Sequence, residues 1–253
     1  MAKLSVDYYS NALKRHVELT VLLPVDALNQ QFKYEDLKPF KTLYLLHGML
    51  GNRHDWIDRT LLHNYLEGAN IAVVMPSGEN SMYVNNALSN VDYSAWIGDE
   101  LVSMTRRMFP LSPKREDTYI AGLSMGGFGS LMNGLKYRDV FSVIGSFSAP
   151  IQKSDDLKKN YSGINMFGMS YQAQFEENPS AFDIYQMLDQ NQGDIPYLYL
   201  SCGSRDFLIE NNREFVKYVA SKNIHHEYFE LDDDHSWTFW DESIKRFIAY
   251  LKR

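Results

Sequence analysis

The sequence has a single cysteine, Cys202, among its 253 residues. No disulfide can form within the chain, and a reducing compartment suits it. Positive charge is in deficit: 25 Lys and Arg stand against 32 Asp and Glu, a formal net charge of −7. That balance argues against general affinity for nucleic acid. No window approaches the roughly 18 apolar residues of a membrane span, and the opening "MAKLSVDYYS" has no apolar core of signal-peptide length. There is no internal repeat, no low-complexity tract and no cluster with recognisable metal-ligand spacing. These absences lead to the expectation of a soluble cytoplasmic protein with no cofactor and no metal. Its expected partner is a small molecule rather than nucleic acid or a membrane, with association into a homo-oligomer left open.

What is present is globular: 45% apolar, 23% charged and 14% aromatic residues, enough to fill a large core. "SVDYYS" and "RHVELTVLLP" read as two strands joined by the turn "NALK", and Val25 to Lys38 reads as a loop. From Lys41 onward, an apolar run typical of a strand buried on both faces ("KTLYLLHG"), two further buried strands ("IAVVMPSG", "TYIAGLS") and three more strands ("VIGSFSA", "YLYLSCG", "HEYFELD") alternate with stretches of helical spacing. The helical stretches include "RHDWIDRTLLHNYLEG", ended by Gly68, and "YSAWIGDELVSMTRRMF", followed by Pro110. The alternation predicts an α/β architecture, a mostly parallel sheet with helices on both faces and an antiparallel edge from the first two strands. The segment at about 151–195 is too long for an ordinary connection and is expected to be a functional insertion before the strand "YLYLSCG".

The stretch "GLSMGGFGS" crowds four glycines around Ser124 where a strand becomes a helix. Glycine is costly to order, so the junction needs steric room. A strained Gly-x-Ser-x-Gly turn lifts a serine hydroxyl clear of the backbone, where a base and a substrate reach it. Such a sheet places the acid and the histidine later in the chain. Of the three histidines after Ser124, His225 and His226 precede the strand "EYFELD", whereas His235 follows its C-terminal end, where chemistry in these sheets sits. Asp206 lies three residues past Gly203, at the end of the preceding strand, and is favoured over Asp232, Asp233 and Asp234, which abut His235. The backbone amide of Met125 is one expected oxyanion donor; Met49 is the first candidate for the other and Leu50 the second. His47 is read as shaping the oxyanion loop, Cys202 as a buried inert thiol, and Trp240 as packing, while Trp56 and Trp237 are candidates for a pocket wall. Met166, Phe167 and Met169 are candidates to cap an acyl pocket.

With those residues in place, "YLLHGMLGNRHDW", "IAGLSMGGFGSL", "CGSRDFL" and "DDDHSWTFW" resemble, in order, the oxyanion, nucleophile, acid and histidine segments of the esterase D-like family of alpha/beta-hydrolases. The likeness runs from about Lys41 to the C-terminus and is nearest to small bacterial tributyrin esterases. The residues before His235 depart from the small residues and glycine expected there, without removing a catalytic group. The resemblance implies a single alpha/beta-hydrolase domain over 1–253. It also implies a triad of Ser124, Asp206 and His235, an oxyanion hole from Met49 and Met125, and cofactor-free hydrolysis of short-chain acyl esters. S-formylglutathione hydrolase and feruloyl or acetyl-carbohydrate esterase are the enzymatic alternatives. A hydrolase-fold binding protein is the non-enzymatic one, opposed by the intact Ser, Asp and His.

Overall fold

The computed structural model describes residues 1–26, 38–86, 89–153, 179–190 and 193–253. The chain opens with an antiparallel pair, β1 (Ala2–Ser10) and β2 (Arg15–Leu23), joined through a turn at residues 11–14 in which Lys14 takes φ 54. β3 (Lys41–Leu46) and β4 (Ile71–Pro76) follow, then β7 (Thr118–Leu123), β8 (Val143–Phe147), β9 (Tyr197–Gly203) and β10 (His226–Leu231). A separate two-stranded ribbon, β5 (Asn85–Asn86) with β6 (Val91–Asp92), lies between β4 and β7 in the chain and is too short to leave a sequence signal.

The eight-stranded sheet runs β1-β2-β4-β3-β7-β8-β9-β10, antiparallel as far as β4 and parallel beyond it. Strand order reverses at β3, which sits between β4 and β7. The parallel strands therefore release their following loops along one edge, beside the reversal, where open α/β sheets bind ligands. Alternate residues of β7 serve opposite faces. Ile120 enters one core cluster with Phe128, Leu131 and Phe141; Tyr119, Ala121 and Leu123 enter the other with Phe239, Ile244 and Phe247. Burial on both faces is why these strands read as unbroken apolar runs, and each fully buried Leu or Phe contributes ~1.5–3 kcal/mol.

The helical run read over residues 53–68 divides into α1 (Asp55–Arg59) and α2 (Leu62–Tyr65). Thr60 is extended between them, with φ −137 and ψ 167. Its hydroxyl donates to Trp56 O, and the next amide, Leu61 N–H, donates to Asp241 Oδ1 at 2.8 Å instead of continuing the helix. Gly68 closes the region at φ 70. The next helical run starts as α3 (Tyr93–Ala95), widens into a π turn over Trp96–Glu100 and continues as α4 (Leu101–Met108). α5 (Met125–Lys136) springs directly from Ser124.

Between β8 and β9 the described residues form a 3-10 turn, Pro179–Phe182, and α6 (Ile184–Gln190). Most of the expected insertion, including Met166, Phe167 and Met169, lies outside the described residues, as does most of the loop read over Val25 to Lys38. α7 (Ile209–Ser221) and α8 (Trp237–Leu251) complete the chain. α8 is capped by Ser236, whose hydroxyl accepts from Phe239 N–H at 3.2 Å, a contact worth ~1 kcal/mol that also fixes the backbone next to His235. Among the described residues no helix is long and apolar enough to cross a membrane.

Candidate active site

Ser124 stands between the last residue of β7 and the first of α5, with φ 51 and ψ −118. That is a costly backbone for a residue with a side chain. Neighbouring backbone holds it there: Ser124 N–H donates to Phe147 O of β8 at 2.8 Å. The flanking glycines are needed for close approach. A Cβ on Gly122 would lie 2.5 Å from the backbone of Gly126, and one on Gly126 would lie 2.5 Å from Leu46 O and 2.6 Å from His47 O.

The structure brings Ser124, His235 and Asp206 together. His235 Nε2 lies 3.0 Å from Ser124 Oγ, and His235 Nδ1 lies 2.8 Å from Asp206 Oδ2. With the Nδ1 proton directed at the carboxylate, Nε2 is left as an acceptor facing the serine hydroxyl. Asp206 is 2% exposed, and its other oxygen accepts Leu208 N–H at 2.9 Å. Burial alone would raise the Asp206 carboxyl. Hydrogen bonds from His235 and the Leu208 amide, joined by the His235 charge and the Ser148 hydroxyl, outweigh it and hold the pKa below its ordinary value.

Two of the three rival acids, Asp232 and Asp233, are occupied in the turn before His235. Asp232 pairs with Arg205, Asp233 Oδ1 accepts from Ser236 Oγ at 3.0 Å and from Asp234 N–H at 2.8 Å, and Asp233 O accepts from Arg205 N–H at 2.9 Å.

Met49 and Met125 both line the cleft with Ser124. Met125 opens α5, so its amide belongs to the first turn, whose N–H groups have no partner within the helix. Leu50, the second candidate for the other donor, spends its amide on Asn80 Oδ1 at 2.6 Å and takes φ 63. His47 is 1% exposed. Its Nδ1 lies 2.6 Å from Gly48 O, and its Nε2 accepts Gly78 N–H at 2.8 Å. That pairing requires the neutral ring protonated on Nδ1, and burial, the leading influence, holds its pKa below the usual histidine value. His47 thus ties the oxyanion loop to the loop after β4 and reaches neither Ser124 nor Asp206 by a hydrogen bond.

The cleft has a volume of about 740 Å³. Trp237 and Trp240 line it; Trp56 does not, being 1% exposed with its indole N–H on Leu46 O at 3.0 Å. Trp240 is packed as read from the sequence, but it also meets the His235 ring edge to face, with centroids 4.9 Å apart, and donates its indole N–H to Ser148 Oγ at 3.2 Å. Phe207, 70% exposed, lies over the other side of the imidazole at 4.7 Å. Sequence reasoning missed Ser148 and Phe207; only their offsets from a strand end and from Asp206 could have pointed to them. Cys202 is buried, and burial raises its thiol pKa, with the Asp206 charge adding to the effect; it is inert. Among the described residues no group of three or more His, Cys, Asp or Glu side chains is arranged to hold a metal ion.

Comparison with known proteins identifies the family of the chain. The family model described as "Putative esterase" matches residues 10–251. An acetyl esterase of Caldicellulosiruptor saccharolyticus is 35% identical over 263 residues, covering 100% of this chain and 99% of that protein. The substrate-bound structure of the Staphylococcus aureus fluorophosphonate-binding serine hydrolase FphF superposes with a TM-score of 0.85 at 31% identity, covering 100% of this chain and 98% of the other. The apoenzyme of the S. aureus S-formylglutathione hydrolase FrmB gives 0.84 at 31% identity, covering 100% and 99%. With relatives of that identity spanning the whole chain and the family model reaching from β1 to α8, the chain belongs to the esterase D-like family of alpha/beta-hydrolases and is a carboxylic-ester hydrolase.

Proposed function

We propose that the chain hydrolyses short-chain acyl esters, acetyl to butyryl and tributyrin among them, through an acyl-enzyme on Ser124. The observation that carries this reading is the 3.0 Å approach of Ser124 Oγ to His235 Nε2, with Asp206 on the far nitrogen at 2.8 Å.

In the first half-reaction Ser124 Oγ attacks the acyl carbon as its proton passes to His235 Nε2. The ester carbonyl oxygen becomes an oxyanion facing the amides of Met49 and Met125, where a pair of fixed donors lowers the barrier by several kcal/mol, ~3 per donor. The intermediate collapses, the C–O bond to the alcohol breaks, and His235 delivers its proton to the leaving oxygen. In the second half-reaction His235 takes a proton from water. The resulting hydroxide attacks the acyl-serine, and Ser124 leaves with the proton returned by His235. Asp206 stays ionised throughout, holding the imidazole in the productive tautomer and stabilising the imidazolium.

A limit on acyl length is supported by the stacked pair Phe128 and Phe182, centroids 5.8 Å apart, both of which line the cleft. Phe128 is one helical turn past Ser124 and buried, so a long acyl chain would have to displace packed rings. Likeness to an acetyl esterase supports a small acyl group, and likeness to FrmB, an S-formylglutathione hydrolase, supports the thioester alternative.

The test is a series of p-nitrophenyl esters from acetyl to octanoyl, with tributyrin and S-formylglutathione alongside and a fluorophosphonate as label. Wild type should react fastest with acetyl to butyryl groups, fall steeply by octanoyl and show no jump at the solubility limit of tributyrin. Ser124→Ala should lose at least roughly a thousandfold in kcat and all fluorophosphonate labelling. A rate that climbs through octanoyl would refute the short-chain limit, and labelling that survives Ser124→Ala would refute the nucleophile.

A further inference from the structure

The cleft carries a cation that ester hydrolysis itself does not use. Arg59, the last residue of α1, is exposed, lines the cleft and holds its guanidinium carbon 5.5 Å from the centroid of the Trp237 ring. Several other arginines of this acidic chain are ion-paired, among them Arg53 with Glu18 at 3.3 Å and Arg213 with Glu230 at 2.7 Å. Arg59 has no ion pair with any carboxylate among the described residues. Asp55, one turn earlier on the same helix, also lines the cleft, but its carboxylate packs against Gly51 of the oxyanion loop, where a Gly51 Cβ would collide with it.

The guanidinium is also preorganised. Trp237 is fixed edge to face by Trp56 at 5.6 Å and by Trp240 at 5.2 Å, and Trp240 meets His235 at 4.9 Å. A continuous aromatic wall thus leads from His235 to Arg59. The direction of that wall has a chemical meaning. His235 delivers its proton to the leaving oxygen, so the alcohol portion of an ester lies on the His235 side of Ser124. A flat alcohol portion following the wall ends beneath the Arg59 guanidinium, whose planar donors suit a carboxylate.

We propose that Arg59 is a specificity-determining residue that directs the enzyme to esters whose alcohol portion is an aryl group bearing an anionic, carboxylate-like substituent. This rests on the serine-esterase reading above, in which His235 protonates the alcohol.

Three acetyl esters of one shape test it: 4-acetoxybenzoate, its neutral methyl ester, and the cationic 4-acetoxyphenyltrimethylammonium. Comparing ratios of kcat/KM between variants cancels the differing intrinsic reactivity of the esters. The ratio for the anionic over the neutral ester should fall about fivefold in Arg59→Gln. It should fall further in Arg59→Glu with a gain for the cationic ester, be partly kept in Arg59→Lys, and drop in Trp237→Leu, where the guanidinium loses its support. In wild type it should also decline with added salt. An unchanged ratio in Arg59→Gln and Arg59→Glu, with good turnover of the neutral ester, overturns the subsite and leaves the esterase reading standing. Wild type that hydrolyses none of the three sinks both.

Discussion

The indole N–H of Trp240 points at the hydroxyl of Ser148, 3.2 Å away, across 92 residues of sequence. The Ser148 hydroxyl helps to hold the Asp206 carboxyl below its ordinary pKa, and the Trp240 ring rests against His235. One side chain thus meets both a hydroxyl that acts on Asp206 and the His235 ring. Ser148 itself takes φ 50, a left-handed conformation that costs a residue with a Cβ ~1 kcal/mol or more.

Removing that hydroxyl should separate activity from stability. Ser148→Ala and Ser148→Gly should both lose about tenfold in kcat with little change in KM, because the Asp206 carboxylate loses a polar group that favours its charged form. Ser148→Gly should melt higher than Ser148→Ala, because glycine adopts the left-handed backbone without strain. Steady-state kinetics and thermal melts of the two variants check this. Equal melting temperatures would show that the backbone at 148 stores no strain.

The low pKa of Asp206 has a consequence for acid stability. The folded value lies below the ordinary 3.8, so the ionised carboxylate stabilises the fold. That contribution is complete above about pH 4, where the unfolded chain is also ionised, and is lost as pH falls through the lower folded value. Asp206→Asn removes it, so the urea midpoint of the variant should change less between pH 5 and pH 3 than that of wild type. The same substitution should lower kcat at neutral pH about 10³- to 10⁴-fold by favouring the wrong tautomer of His235. Asp234→Asn should leave both properties near wild type.

Gly126→Ala should be damaging out of proportion to one methyl group. The new Cβ would meet two backbone oxygens, Leu46 O and His47 O, neither of which can swing aside. A destabilisation of ~1–3 kcal/mol is expected from overpacking, and the molecules that fold should carry a displaced oxyanion loop. Thermal melting combined with fluorophosphonate titration of the folded fraction separates the two effects.

His47→Ala should act on the loops and not on proton transfer. It strips Gly78 N–H of its partner, at ~1–3 kcal/mol for a buried group left unmade, and leaves Gly48 O with Gly51 N–H alone. The pH at which kcat/KM falls on the acid side should stay where wild type has it, because the His47 ring is neutral and meets neither Ser124 nor Asp206. A displaced acid limb would make His47 a participant in the chemistry.

How far the sequence could be read depended on how local each cause was. Strands β3, β4, β7, β8 and β9 were legible because burial on both faces writes continuous apolar runs, and the candidate site residues Ser124, Asp206 and His235 because chain order and strand ends point to them. The antiparallel edge followed from the turn "NALK". The division of α1 from α2 was hidden, since it depends on Asp241 receiving the amide of Leu61, 180 residues away. The contact of Ser148 with Trp240, 92 residues away, was hidden for the same reason, whereas Trp237 was legible as a candidate for the pocket wall. The choice of Met49 over Leu50 narrows only once Asn80 is seen to occupy the Leu50 amide.

The distance along the chain between nucleophile and base sets a schedule for biosynthesis. His235 leaves the ribosome 111 residues after Ser124, and the strand that carries its loop closes the far edge of the sheet. Most of the sheet can assemble on a nascent polypeptide while the serine still has no proton acceptor. On the proposed mechanism catalytic power arrives as one of the last properties the molecule acquires, so a chain that stops short of His235 should not turn over an ester.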